Sequence, residues 1–151
     1  PMRPIPQSSS RIHGIGDEMV AEAPPLSVAL AQFERFCGES VLVGHNVGFD
    51  LKFLEVKEGE TGVAIKNLAL DTQIVSRFLW PDFDDHSLDG IALRLGLPCV
   101  NRHRALADAM VTAAVFVRMI EALEGRGVTT LGALLRASRM AREIAIGQAV
   151  F

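Results

Sequence analysis

Apolar residues along the chain recur at helical spacing in several segments and form short continuous runs in two others. Leu26, Leu30 and Phe33 lie on one face of a predicted helix, and Gly38 follows as a residue that commonly ends one. The apolar runs at 41–44 and 65–70 are short enough for buried strands. The first half of the chain is therefore predicted to alternate helices with strands.

The second half of the chain is predicted to be mostly helical. Gly59 and Gly62 are expected to end the helix that follows the first strand, Pro81 ends the next one, and Ser87 caps the start of another. The helices predicted from this pattern are 49–58, 74–80, 88–95, 105–123 and 130–146. The first ten residues contain three prolines and are expected to form an extended loop.

The order of predicted elements is typical of an α/β fold, but the sheet is small. Two predicted strands are fewer than the roughly four to six of a usual sheet. We therefore expect that the opening strands lie outside these residues or that the sheet is completed from elsewhere.

Composition places the chain among folded single domains. Of its 151 residues, 49% are hydrophobic and 22% are charged, which allows a substantial core. No apolar run approaches the roughly 18 residues that span a bilayer, and the first ten residues lack the apolar segment of a signal peptide. Cys37 and Cys99 lie far apart, which argues against a zinc cluster and fits a reducing, cytoplasmic location.

The charge balance disfavours a broad basic surface for nucleic acid. The chain carries 15 Lys and Arg residues against 18 Asp and Glu residues, a net charge of −3. If the protein handles nucleic acid, we expect it to do so at a local site that contains metal ions.

Two aspartates and one histidine are candidates for that site. Asp50 follows a predicted strand at the start of a helix, where it either meets the helix dipole or binds a cation. Asp108 falls on the apolar stripe of Val111 and Val115, where a carboxylate is costly unless it is paired or partly in solvent. His103, five residues before Asp108, is a group suited to removing a proton from water.

Five short segments resemble, in the same order, motifs of the DEDDh 3′–5′ exonucleases, the DNA polymerase III epsilon-subunit-like family. Residues 41–54 (VLVGHNVGFDLKFL) resemble the second exonuclease motif, and residues 103–109 (HRALADA) resemble the third, His-x4-Asp. The segments 12–19, 70–72 and 86–89 are similar to shorter signatures of the family. The resemblance implies the ribonuclease H-like α/β fold for residues 1–125, followed by a helical extension at 126–151.

The resemblance also implies roles for the candidate residues. Asp108 and Asp50 correspond to ligands of two Mg²⁺ or Mn²⁺ ions, which lie roughly 3.5–4 Å apart in such sites, and His103 corresponds to the general base. The resemblance further implies substrate binding by His13, His45, Asn46 and Phe49. For His13 a loop-packing role is an equal alternative, and for His45 and Asn46 hydrogen bonding within the turn is favoured over metal binding.

The first motif of this family, Asp-x-Glu on an early strand, does not occur in these residues. Asp17 and Glu18 are adjacent and do not replace it. With Asp50, Asp108 and His103 alone, the site has few charges for two ions, so we expect little or no nuclease activity from the isolated chain.

Two function hypotheses follow from the resemblance. The first is a metal-dependent 3′–5′ exonuclease that acts on single-stranded DNA ends, with a polymerase or a fused module as partner. The second is a non-catalytic module that serves as a scaffold or interaction domain, and a third, minor option is an RNA-trimming relative.

Two weaker signals have structural explanations that we favour. Trp80, just before Pro81, is more typical of packing than of stacking on a base. Arg136, Arg139 and Arg142 recur on the last predicted helix, where a solvated face is favoured over a track for phosphates.

Overall fold

The described residues contain one small parallel sheet of two strands. The structure, a computed structural model, describes residues 4–98 and 104–148, with side chains to residue 143. The strands β1 (Leu42–Gly44) and β2 (Ala69–Asp71) pair in parallel, with Val43 opposite Leu70. The connection between them is a helix, as parallel pairing requires.

Helices make up most of the described chain. In chain order they are α1 (Gln7–His13), α2 (Asp17–Val20), α3 (Leu26–Cys37), α4 (Gly48–Thr61), α5 (Thr72–Leu79), α6 (Leu88–Arg94), α7 (Ala105–Glu124) and α8 (Leu131–Gln148). The predicted helices at 26–37, 74–80, 88–95, 105–123 and 130–146 are confirmed to within a few residues at each end.

Side-chain caps explain where several helices begin. The Asp71 side chain accepts a hydrogen bond from the backbone N–H of Gln73 at the start of α5. The predicted cap Ser87 accepts one from Gly90 N at 3.1 Å at the start of α6. Each cap satisfies an amide that the first helical turn leaves unpaired, so these helices start where the sequence places a short polar side chain.

The prediction of an extended loop over the first ten residues is wrong, because α1 begins at Gln7. Pro4 and Pro6 lie before the helix, where a missing N–H costs no helical hydrogen bond. The segment is tied down by Ile5, whose backbone N–H donates to Asp17 Oδ1 at 2.8 Å.

Two predicted boundaries are also wrong. The helix α4 continues through Gly59 and ends at Gly62, whose φ of 71° is the left-handed conformation that glycine adopts easily. The second strand is shorter than the predicted 65–70. Asn67 Nδ2 donates to the carbonyls of Gly38 and Ser40, each at 2.8 Å, so this side chain holds the segment just before the strand.

The main hydrophobic core comes from the second half of the chain. Its buried members all lie at residue 70 or later: Leu70, Val75, Leu79, Leu88, Ile91, Ala92, Val111, Val115, Met119, Leu123 and Leu134. In this core α5 packs against both α7 and α8, and α6 packs against α7. Burial of these side chains stabilises the fold by roughly 1.5–3 kcal/mol for each large aliphatic residue.

The last helix belongs to the same packed structure in the described residues. It contacts α5 and β2, and its buried stripe is formed by Leu134, Ala137 and Ala141. The domain boundary after residue 125 stays a prediction. In the described parts of the chain, every helix is too short or too polar to span a bilayer.

Candidate active site

The two strands end side by side, and the residues that follow them are joined by one carboxylate. Asp71, the last residue of β2, accepts hydrogen bonds at Oδ1 from Asn46 N and Gln73 N, both at 2.9 Å. Asn46 precedes α4, and Gln73 lies in the first turn of α5. A single side chain therefore sets the relative position of the two strand-to-helix turns.

The turn after β1 is held by a second polar contact. His45 Nδ1 lies 3.0 Å from Thr72 Oγ1, and the same hydroxyl donates to the carbonyl of Gly44 at 3.2 Å. A threonine hydroxyl has a single hydrogen, so His45 Nδ1 is the donor in the first contact. Because Thr72 is fully buried, the orientation of the His45 ring is anchored to the interior of the protein.

The backbone of this turn is tight. Asn46 has a φ of 55°, a left-handed conformation that asparagine tolerates better than most residues. A Cβ at Gly44 would lie 2.6 Å from Val47 Cγ2, so glycine allows the strand and the turn to approach closely. The turn directs the chain from β1 into α4, which carries Asp50.

A cavity of about 730 Å³ opens beside these turns. Asp50 from α4 and Asp108 from α7 both line it, together with His45 and Asn46. Asp50 is exposed, whereas Asp108 is half-buried. The structure thus brings four of the seven candidate residues to one cavity.

Asp108 lies at the end of the buried stripe of α7, as its spacing indicates. Val111, Thr112 and Val115 on the same stripe are buried, and Thr112 also lines the cavity. The carboxylate is therefore at the border between the core and the cavity, where a bound cation would offset the cost of its partial burial.

Two of the remaining candidates do not line the described wall of the cavity. His13 is at the end of α1, where its Nδ1 accepts a hydrogen bond from Ile15 N at 3.0 Å, and it is not among the residues of the wall. Phe49 is 76% exposed and is also absent from the wall. His103 lies outside the described residues.

The donors in the cavity suit one hydrated divalent ion. Carboxylate oxygens are preferred ligands of Mg²⁺ and Mn²⁺, which keep several waters and use one or two carboxylates with substrate phosphate. Within residues 4–98 and 104–148, no three His, Cys, Asp or Glu side chains gather as a metal site. Asp50 and Asp108 are the carboxylates that line the described part of the cavity, fewer than a site for two ions uses.

Several residues that line the cavity were not predicted from the sequence. Gln73, Ser87 and Thr112 are polar residues of its wall. Thr72 is not in the wall, but its hydroxyl is hydrogen-bonded to the His45 ring. The segment 70–72 resembles a family signature, but its sequence does not show which residues it contacts. Its function in the structure is to hold the turn that follows β1.

A buried histidine lies next to the cavity wall. His86 Nδ1 is 2.8 Å from Ser76 Oγ, and both residues are buried. Burial lowers the pKa of His86, and the positive charges of Arg77 and Arg94 lower it further. Ser87 and Leu88, the next two residues in sequence, line the cavity.

Trp80 is a packing residue in the structure. Its ring stacks on Phe83 with 5.4 Å between centroids, and it packs against the main core. Arg94 lies over the other aromatic ring of the pair, 3.7 Å from its centroid. Trp80, Phe83 and Arg94 therefore pack together beside the segment that joins α5 to α6.

Comparison with known proteins identifies the family. A family model described as "Exonuclease" matches residues 1–116. The chain belongs to the Exonuclease family. The resemblance inferred from the sequence motifs is therefore confirmed.

Relatives of this Exonuclease family member carry DNA polymerase III names. The chain is 44% identical over 137 residues to a "DNA polymerase III subunit epsilon-like protein" of Rhodobacter capsulatus, covering 89% of the chain and 20% of that protein. It is 34% identical over 131 residues to a "DNA polymerase III PolC-type" protein of Caldanaerobacter subterraneus, covering 87% of the chain and 9% of that protein. The chain therefore spans a small part of these relatives.

The fold of this family member also matches a solved structure. The structure titled "Exonuclease X in complex with 5' overhanging duplex DNA" superimposes with a TM-score of 0.67 at 23% sequence identity, covering 90% of this chain and 75% of that chain. The predicted ribonuclease H-like exonuclease fold is thereby confirmed.

Proposed function

We propose that the cavity between α4 and α7 is the site of a metal-dependent 3′–5′ exonuclease that removes nucleotides from single-stranded DNA ends. The observation that carries the proposal is the convergence of Asp50 and Asp108, 58 positions apart in sequence, on one cavity of an Exonuclease-family fold. Oxygen ligands at such a cavity are typical of phosphodiester hydrolysis.

In this proposal the candidate side chains have different roles. Asp108 and Asp50 hold a divalent cation, while Asn46 and the anchored His45 orient the terminal nucleotide. His103, which precedes the α7 cap residue Arg104 in sequence, accepts a proton from the attacking water. The water oxygen then bonds to phosphorus, and the bond from phosphorus to the 3′ oxygen of the preceding nucleotide breaks. That oxygen takes up a proton from solvent, so the products are a nucleoside 5′-monophosphate and a strand that is one nucleotide shorter and ends in a 3′ hydroxyl. When bound, the cation supplies positive charge that stabilises the phosphate oxygens during this displacement.

His13 and Phe49 remain proposed substrate contacts that lie outside the cavity wall. Phe49 neighbours Asp50 and presents an exposed ring to which a base can stack. His13 is on α1, and the next residue, Gly14, lies beside Arg104: a Cβ at Gly14 would be 3.4 Å from an Arg104 guanidinium nitrogen. The end of α1 is therefore close to the start of α7, the helix that carries Asp108.

We further propose that the substrate reaches this site as part of a replication or repair assembly. The support is that the relatives named above are DNA polymerase III proteins of which the chain spans a small part. RNA as a substrate is the alternative, and hydrolysis of matched DNA and RNA oligonucleotides distinguishes the two sugars.

One observation favours a second candidate, a non-catalytic module. The described part of the cavity offers two carboxylates and no larger metal-binding cluster. For the same reason we expect the isolated 151-residue chain to hydrolyse DNA slowly or not at all. In the module, the cavity binds a strand or a partner without cutting.

Metal-dependent binding of a DNA end tests the site without requiring turnover. A 5′-fluorescent single-stranded oligonucleotide is titrated with the protein in EDTA and in Mn²⁺, alongside a hydrolysis assay in Mn²⁺. We expect Mn²⁺ to tighten binding by about tenfold in the wild type and to have no effect in Asp108→Asn or Asp50→Asn. Glu58→Gln, an exposed change on the helix that carries Asp50, is the control and keeps the wild-type response.

The outcomes separate the candidates. Tighter binding in Mn²⁺ that needs both aspartates supports the enzyme site, and any hydrolysis is expected to fall by about 10²–10⁴-fold in His103→Ala. Oligonucleotide binding that is unchanged by Mn²⁺ and by substitution of either aspartate supports the module instead. Robust turnover by the isolated chain that is lost in His103→Ala would support the enzyme and refute the expected weak activity.

A further inference from the structure

A second cavity, of about 400 Å³, lies next to the candidate active site. The two cavities share Asn46 and Gln73 as wall residues. The far wall of the second cavity comes from α8, beyond the third motif-like segment. The two cavities are therefore neighbours on the molecule, and the second one extends to α8.

One stripe of α8 faces this cavity. Leu135, Ser138, Arg139 and Arg142 line it, at the spacing i, i+3, i+4 and i+7 that defines one helix face. The neighbouring stripe, which includes Leu134 and Ala141, is buried in the core. Packing of the apolar stripe therefore sets the direction in which the two arginines point.

The two guanidinium groups have no carboxylate partner in the part of the chain that the structure describes. Among those residues, neither Arg139 nor Arg142 forms an ion pair. The one carboxylate in the described cavity wall, Asp71, already accepts two backbone hydrogen bonds at Oδ1. In a chain with a net charge of −3, this cavity holds a local excess of positive charge.

A further feature of the wall suits an anion. The residues that open α4, Val47 and Gly48, line the cavity. The first turn of a helix has unpaired N–H groups and a positive dipole end, so this part of the wall adds to the positive potential of the two arginines.

We propose that Arg139 and Arg142 form a phosphate subsite for the nucleic-acid strand whose end occupies the candidate active site. The planar guanidinium fork matches phosphate oxygens, and contacts of this kind position a strand without reading its bases. The subsite rests on the proposed function for its choice of ligand. It also offers a way for a net acidic protein to hold a polyanion, since two of its 15 Lys and Arg residues line one cavity.

Strand binding in EDTA tests the subsite separately from the metal site. The Kd of a fluorescent single-stranded oligonucleotide is measured across a salt series for the wild type, Arg139→Gln/Arg142→Gln, and Arg136→Gln. Arg136 is the matched control because it is exposed on the same helix and does not line the cavity. Arg139→Lys/Arg142→Lys keeps both charges and shows whether the guanidinium shape is needed, and circular dichroism confirms that α8 is folded.

We expect the double glutamine variant to bind the oligonucleotide about 10- to 30-fold more weakly. The dependence of log K on log salt should flatten by about 0.7 for each phosphate that the variant no longer neutralises. Arg136→Gln is expected to stay within about twofold of wild type. The double lysine variant should keep the salt dependence and recover part of the affinity, because charge persists without the fork.

Equal effects of the double glutamine variant and Arg136→Gln would overturn the subsite, as would failure of the wild type to bind the strand in EDTA. Inorganic phosphate is a separate arm. If the arginine pair matters for inorganic phosphate but not for the oligonucleotide, the cavity binds free anions and the strand path is wrong. If strand binding needs the pair while Mn²⁺ and the two aspartates have no effect, the subsite stands and the proposed nuclease function fails.

Discussion

The two helices that carry the carboxylates of the cavity are anchored in very different ways. The helix α7 buries five residues, among them Val115 and Met119, which are fully buried. The helix α4 buries none, and its Phe53 and Val56 are 51% and 64% exposed. Hydrophobic packing thus fixes the position of Asp108, whereas the position of Asp50 depends on contacts other than core packing.

Polar contacts at the end of β1 provide that other anchor. Asp71 accepts from Asn46 N, and His45 is bonded to the buried Thr72, so the start of α4 is tied to the start of α5. Beyond this start, α4 packs mainly against α3. One wall of the cavity is therefore set by the core and the other by a hydrogen-bonded turn, and each wall should respond to a different kind of mutation.

The largest effect is expected from matched valine truncations in the two helices. Val115→Ala on α7 should lower the free energy of unfolding by about 2–3 kcal/mol, because it removes buried methyl groups and leaves a cavity. Val56→Ala on α4 should change it by less than about 0.5 kcal/mol. Urea denaturation measures both, and similar losses in the two variants would show that α4 is packed as tightly as α7.

The next effect concerns the residue that joins the two walls. Asp71→Ala removes the cap of α5 and the acceptor for Asn46 N, and should cost about 1–3 kcal/mol. In Asp71→Ala, the increase in the amide hydrogen exchange rate over wild type should be larger in the first turn of α4 than in the middle of α7.

Asp84→Ala, an exposed change between α5 and α6, is the control for Asp71→Ala and should leave both stability and exchange near wild type. Uniform acceleration of exchange in both helices of Asp71→Ala would contradict a separate, turn-based anchor for α4.

The smallest effect is a pH dependence of the free energy of unfolding, and it comes from His86 in the well-packed region. The folded state holds the pKa of His86 below its usual value of about 6.5, so below that pH the unfolded chain binds a proton that the folded chain does not. Stability should therefore fall as the pH drops from about 6.5 towards the lowered pKa, by roughly 1.4 kcal/mol per unit of depression. Thermal unfolding between about pH 7 and 5 measures it.

Variants assign this pH dependence to one side chain. His86→Gln should flatten the dependence in that range, whereas His13→Gln, which leaves His86 in place, should keep it. An unchanged slope in His86→Gln would show that another group is responsible.

Much of the fold was predictable because local signals agreed with the final packing. Ser87 was predicted to cap α6 and does so, and the spacing of Asp108 with Val111 and Val115 placed it at the border of the core. The prediction failed where local preference was overruled. Glycine at 59 lowers helix propensity, but one such residue costs only about 1 kcal/mol, and α4 continues through it.

The site was predictable to a different extent at each residue. The choice of Asp50 and Asp108 came from the sequence, by their placement and by motif resemblance. The hydrogen bond from Asn46 to Asp71 joins residues 25 positions apart, and no local pattern encodes it. The separation of Arg139 and Arg142 from Arg136 likewise depends on which stripe of α8 meets the core.

Sequence alone determined the residue types and indicated the family and the order of the elements from α3 onwards, because helical periodicity, capping residues and short motifs are properties of neighbouring positions. The tertiary structure decided which of the chemically suitable side chains share a cavity. Meeting in space depends on the parallel pairing of β1 with β2 and on the face that each helix turns to the core. Those are contacts between distant positions, and their free energy exists only when the whole fold has formed.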